Sequence, residues 1–162
     1  MRLEVGRAFQ DEIFSLASSQ KQLAYVAKAK HLEEHWLKQR DRVWPYDRIV
    51  GQMLCVVPMS LRMFASAQTA VNEANLACAL ERYRLAHGRL PDTLEALAPE
   101  FIEEIPHDVV NGEPLRYRLA ADGQYLLYSV GWDGVDDGGS VKEMGNHWDR
   151  EGDWTWRYPS PK

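Results

Sequence analysis

Apolar residues recur along this chain with a helical period in two places and with a strand period in a third. Between Gln10 and about Arg42 there is neither Pro nor Gly, and the segment is rich in Ala, Leu, Lys, Glu and Gln, which lose little entropy in a helix. Tyr25, Ala29, Leu32 and Trp36 form one apolar stripe, and Phe9, Ile13, Leu16 and Ala17 an earlier one. The pattern predicts helices here, with Ser18-Ser19-Gln20 as the break between two of them. Pro45, within the charged stretch Arg40 to Tyr46, interrupts the pattern. The chain thus divides into an N-terminal helical segment, 1–45, and a second piece, 46–162.

The run from Val50 to Met59 fits helix or strand, and Pro58 marks a kink or a helix start. Ser60 to Ala86 predicts the longest helix. Leu61, Phe64 and Ala65 begin its buried side, Leu76, Leu80 and Tyr83 continue one, and Ala70, Ala74 and Ala77 permit close approach of a neighbour. Gly88 supplies the helix end, and Pro91 prevents continuation. A short helix over Leu94 to Leu97 follows, capped by Asp92 or Thr93, with Glu95 in its first turn. Asn111-Gly112 signals a turn. Leu115 to Leu119 alternates apolar and charged residues, and Gln124 to Val130 is rich in aromatic and branched side chains. The Asp122-Gly123 turn between them predicts an antiparallel hairpin, and Trp154, Trp156 and Tyr158 alternate as a third strand of the same sheet. The expected fold class is therefore α+β: a long helix packed on a small antiparallel sheet, preceded by an N-terminal helical segment.

Composition adds limits. A chain of 162 residues, 45% hydrophobic and 27% charged, is long enough to bury a core. A formal charge of -5 gives no general attraction for nucleic acid or anionic membranes. The run from Ile49 to Phe64 is interrupted by Gln52, Pro58, Ser60 and Arg62, short of the roughly 18 apolar residues a membrane span needs. The opening Met1-Arg2 also suits an excised fragment whose membrane anchor lies upstream. On one continuous helix Cys55 and Cys78 would sit roughly 35 Å apart at 1.5 Å per residue, beyond disulfide reach.

Chemistry is most concentrated in the loop after the second strand. Asp133, Asp136 and Asp137 place three carboxylates within five residues, and Gly131, Gly134, Gly138 and Gly139 let the chain curl so that oxygens converge on a hard cation. Unmetallated, the same residues make a solvated acidic turn. The EF-hand register fails, because Val135 and Met144 fall where carboxylates are wanted. A second pattern, His31-Leu-Glu-Glu-His35, has the H-x-x-E-H spacing in which His31 and His35 would bind zinc and Glu34 activate water. On a helix, however, that face also carries Lys28, Lys38 and Arg42, which oppose a dication. No Gly-x-Ser-x-Gly, phosphate loop or Cys-x-x-Cys occurs. Cys78 reads as a small buried side chain, Glu103, Glu104 and Asp108 as surface charge, and His87 and His107 as capping or solvated residues. His147, near the acidic tail, is a further candidate metal ligand.

Taken in order, Ala79 to Pro91, Pro106-His-Asp108, Asn111-Gly-Glu-Pro114, the Tyr-containing hairpin and Tyr128-Ser-Val-Gly-Trp-Asp-Gly134 resemble the soluble module of the major pseudopilin of type II secretion systems, over roughly residues 63–139. The resemblance implies a pilin-like fold, stacking into a short periplasmic filament, and a calcium ion in the loop after the last strands. The matching positions are Asp133, Asp136 and Asp137, with Asp153 as a later counterpart. It further implies a non-enzymatic structural or interaction subunit of an extracytoplasmic bacterial assembly, with protein partners or self-assembly, anchored at the inner membrane through upstream residues. A pseudopilin carries a cleaved leader and an apolar span continuous with the long helix, whereas here about 60 unrelated residues precede it. The alternatives are a zinc metallopeptidase of the H-x-x-E-H type and a soluble binding module that keeps the fold without assembling.

Overall fold

The structure, a computed structural model, describes residues 17–18, 23–24, 31, 56–120, 123–143 and 150–158. The chain divides into two compact units, Met1–Ala65 and Ser66–Lys162. The sequence break at residues 45–46 lies inside the first.

In the first unit, Ala17–Ser18 (β1) and Leu23–Ala24 (β2) form a short antiparallel ladder, with Ala17 opposite Ala24 and Ser18 opposite Leu23. Helix was expected at Ala17, Leu23 and Ala24, and a break at Ser18. The polar Ser18-Ser19-Gln20 stretch begins at the end of β1, and Ser favours turns because its hydroxyl competes for backbone hydrogen bonds. His31 is helical and exposed. The rest of the predicted N-terminal helices lies outside the described residues.

Helix α1 spans Val56–His87, four residues earlier than the pattern placed its start. Pro58 sits in the first turn, where a missing N–H costs nothing, so it belongs to the helix rather than preceding it. At the other end the Gly88 N–H donates to the Arg84 carbonyl at 2.8 Å, and Gly88 has φ 73°, the left-handed ending expected of glycine. His87 stacks on Tyr83 and its Nδ1 lies 3.1 Å from the Tyr83 carbonyl. The 3-10 turn Leu94–Leu97 forms as expected, burying both leucines, but the Thr93 side chain makes no capping hydrogen bond.

The sheet has the order β3-β4-β7, from Arg116–Leu119, Tyr125–Ser129 and Trp154–Tyr158, all antiparallel. Leu119 faces Tyr125 across the hairpin, and Leu127 faces Trp156 on the far side. Gly123 (φ 77°) closes the hairpin by donating to the Ala120 carbonyl at 3.1 Å. Val141–Glu143 (β5) and Arg150–Gly152 (β6) pair separately, a hairpin the polar tail did not disclose.

The long helix packs against this three-stranded sheet, an α+β arrangement consistent with a pilin-like one. Leu76, Ala79 and Leu80 of α1 join Leu90, Leu94, Leu97, Leu115, Tyr125 and Leu127 in one core. Burying a leucine of this kind stabilises by roughly 1.5–3 kcal/mol. Tyr117 packs at its edge and donates its hydroxyl to the Pro91 carbonyl at 2.9 Å. The core thus uses one face of the sheet, that of Tyr117, Tyr125 and Leu127. Strand alternation puts Arg116, Arg118, Leu126, Tyr128 and Arg157 on the other.

Candidate functional site

The outer sheet face is where the acidic loop lies. Gly131 has φ 64°, and a Cβ there would overlap the Gly152 carbonyl oxygen, so only glycine fits where the chain leaves β4 and passes β6. A Cβ on Gly139 would run into the Leu126 side chain, which shows how closely the returning chain lies on the sheet. The Gly139 carbonyl accepts from Arg157 Nη2 at 3.2 Å.

Two of the three predicted metal ligands, Asp133 and Asp136, already accept backbone N–H groups. Asp133 Oδ1 accepts the Val135 N–H at 3.1 Å and Oδ2 the Gly152 N–H at 3.3 Å. Asp136 Oδ1 accepts the Gly138 N–H at 2.9 Å, while Oδ2 lies 3.3 Å from Arg116 Nε. Asp136 therefore sits over Arg116 and Tyr128, which face each other across β3 and β4. Burial raises the Tyr128 phenol above its ordinary range, and the charge and hydrogen bonding of Asp136 add to this.

Asp153, 1% exposed, sits beneath the loop. Its carboxylate accepts the Gly139 N–H at 2.6 Å and the Asp137 N–H at 3.4 Å, pinning both ends of the 137–139 segment. Desolvation raises its pKa above the ordinary value; the two backbone hydrogen bonds oppose that, and the charges of Asp136 and Asp137 reinforce it. The donor chemistry, hard carboxylate oxygens in a glycine-rich curl, is that of a calcium ligand set. Among the described residues no three His, Cys, Asp or Glu side chains gather closely enough to hold a metal. To join an ion, Asp136 would have to exchange Arg116 for it.

A second polar cluster escaped the sequence reading. Thr69, Asn72 and Glu73 of α1 are buried, as is Asp108, which was expected on the surface. Asp108 is a structural carboxylate: Oδ1 accepts the Val110 N–H at 2.9 Å and Oδ2 the Val130 N–H at 3.0 Å. It ties the turn at 108–112, closed by Gly112 N–H to the Asp108 carbonyl at 2.8 Å, to the end of β4. Asp108 was read as surface charge and not as an interior anchor, because burial of a lone Asp has no local signature.

Two further expectations are corrected. Phe64 is 73% exposed rather than the start of the buried side, and Cys78 is exposed rather than buried. Helical period explains both: Ala65, Thr69, Asn72, Leu76 and Ala79 turn inward, so Phe64, Val71 and Cys78 turn outward. Cys78 lines an open groove of about 480 Å³ with Asn75, Arg82, Ile102, Glu103, Glu104 and Pro106. Glu103, Glu104, His87 and His107 are exposed as expected. Of the H-x-x-E-H pattern only His31 is described; Glu34 and His35, like His147, lie outside the described residues. Among the described residues no helix is long and apolar enough to cross a membrane.

No protein-family model, curated protein or solved structure matches this chain.

Proposed function

We propose that this chain is a non-enzymatic structural or interaction subunit of an extracytoplasmic bacterial assembly, pseudopilin-like, joined to its neighbours through helix α1. The observation that carries this reading is an apolar stripe on the exposed side of α1, opposite the side that packs on the sheet. Ala65, Leu76, Ala79 and Leu80 face inward. Within the Ser66–Lys162 unit, Ala67, Ala70 and Val71 fall on the opposite side, and all are exposed, Val71 by 53%. An exposed apolar stripe of this kind marks an interaction surface, and the alanines allow a second helix to approach closely. The neighbour is a second copy or another helical subunit.

Sedimentation equilibrium tests the self-assembly form of this reading. Concentration-dependent association that disappears in an Ala67→Glu, Val71→Glu double variant is expected. A chain that stays monomeric at all concentrations, with and without the substitutions, would remove self-association.

Calcium belongs to the same proposal as the ion that orders the loop from 131 to 139 through Asp133, Asp136 and Asp137. Hard oxygen donors and the flexible glycines support it. Saturating calcium is expected to raise the melting temperature over that in chelator, following RT ln(1 + [L]/Kd), about 2.7 kcal/mol at a hundredfold excess over Kd. An unchanged melting temperature would sink the calcium part alone.

A further inference from the structure

We infer that Glu73 is a proton-operated latch: neutral, it lets the α1 helix close against the Asp108 corner, and its ionisation loosens that corner and the chain leaving β4. Four observations converge on it. Glu73 is 4% exposed, and its Oε1 is buried with no hydrogen-bond partner among the described residues. One turn earlier on the same face, Thr69 is 1% exposed and its Oγ1 also lacks a partner among the described residues. The charge that acts on Glu73 among the described residues is Asp108, itself 2% exposed and of the same sign. Asp108 in turn holds the Val110 and Val130 N–H groups.

Among the described residues the surroundings offer an ionised Glu73 no opposite charge. On its own helix the neighbours Gln68, Thr69 and Asn72 are neutral; Gln68 donates to Asn72, and Asn72 donates to the His107 carbonyl at 3.2 Å. From the 107–114 segment, Asp108 is negative, and the His107 and Glu113 side chains are exposed. The end of β4 adds Ser129 and Val130, neither charged. Burial, and secondarily Asp108, raise the Glu73 pKa from 4.5 to about 8.

The sign follows. A carboxyl whose folded pKa lies above its unfolded value stabilises the fold fully below the unfolded value, here 4.5. That stabilisation declines as pH rises and is gone above about 8. Ionisation then sets a second buried negative charge within reach of that of Asp108. Movement of Asp108 away from Glu73 relieves the repulsion, and it breaks the bonds to Val110 and Val130. Val130 immediately precedes Gly131, so the acidic loop loses its near anchor.

Amide hydrogen exchange of the full chain between pH 6 and 9, corrected for intrinsic chemistry, tests the latch. Val110 and Val130 are expected to lose roughly tenfold or more in protection, tenfold being the weight of one pKa unit. In Glu73→Gln, which keeps the shape and cannot ionise, their protection is expected to stay within about twofold on that scale. Equal pH dependence in both proteins would overturn the proposal. Carbon-13 titration of the Glu73 carboxyl in the unaltered chain needs no variant: a midpoint near 8 supports the latch, and one near 4.5 overturns it.

Discussion

Gly131→Ala is expected to cost the Ser66–Lys162 unit on the order of 3 kcal/mol, lowering its melting temperature by roughly 12–24 °C at this size. Two penalties combine. A non-glycine residue at φ 64° is strained by about 1–2 kcal/mol. The added Cβ would also overlap the Gly152 carbonyl oxygen, a backbone atom that cannot turn aside as a side chain can. Gly134→Ala separates the two, because Gly134 has φ 72° with open space around the position. It should cost only the strain, about 1 kcal/mol. Near-UV circular dichroism of the buried Trp132, followed through thermal unfolding, reads both variants. Equal losses in the two would show that the passage of β6 over Gly131 does not govern stability.

Asp153→Ala is the second large effect. It strands the Gly139 and Asp137 N–H groups, and a hydrogen bond to a charged acceptor carries about 1.5–3 kcal/mol. The expected loss is roughly 2–3 kcal/mol, concentrated at 137–139: amide exchange at Gly139 should approach that of an open loop while Leu127, in the core, keeps its protection. Asp153→Asn retains one acceptor oxygen and no buried charge, so about half that loss is expected. If Asn proves as damaging as Ala, one acceptor oxygen does not hold the 137–139 segment and both carboxylate oxygens are required.

The hairpin and the third strand were readable because their signals are local. Asp122-Gly123 fixes a turn, and alternation at Arg116 to Leu119 and Trp154 to Tyr158 assigns faces without knowledge of what covers them. The end of α1 was equally local, set by Gly88. Its start was not, since Pro58 suits either a break or a first turn. The β5 and β6 pairing stayed hidden because short strands with polar side chains lack any alternation to distinguish them from loop.

The candidate site was half visible. The carboxylates and glycines of residues 131 to 139 stood out as a composition, but sequence could not say whether the oxygens would converge on a cation or be taken by the loop's own N–H groups and by Arg116. That choice depends on Arg116 and Tyr128 being opposite in register, a relation set between strands. Asp153 was noticed only through its resemblance to a later family aspartate, and its position beneath the loop follows from β7 closing the sheet against β4.

Sequence by itself determined the α+β class of the chain, the long helix, the antiparallel order of its hairpin and the acidic glycine-rich loop, because each follows from spacing and backbone preference within a few residues. Only the tertiary structure decided which side of α1 is interior, and therefore that Phe64 and Cys78 face outward while Glu73 is enclosed beside Asp108. Burial of a polar side chain is a property of what packs on it from distant parts of the chain, and no local pattern encodes that.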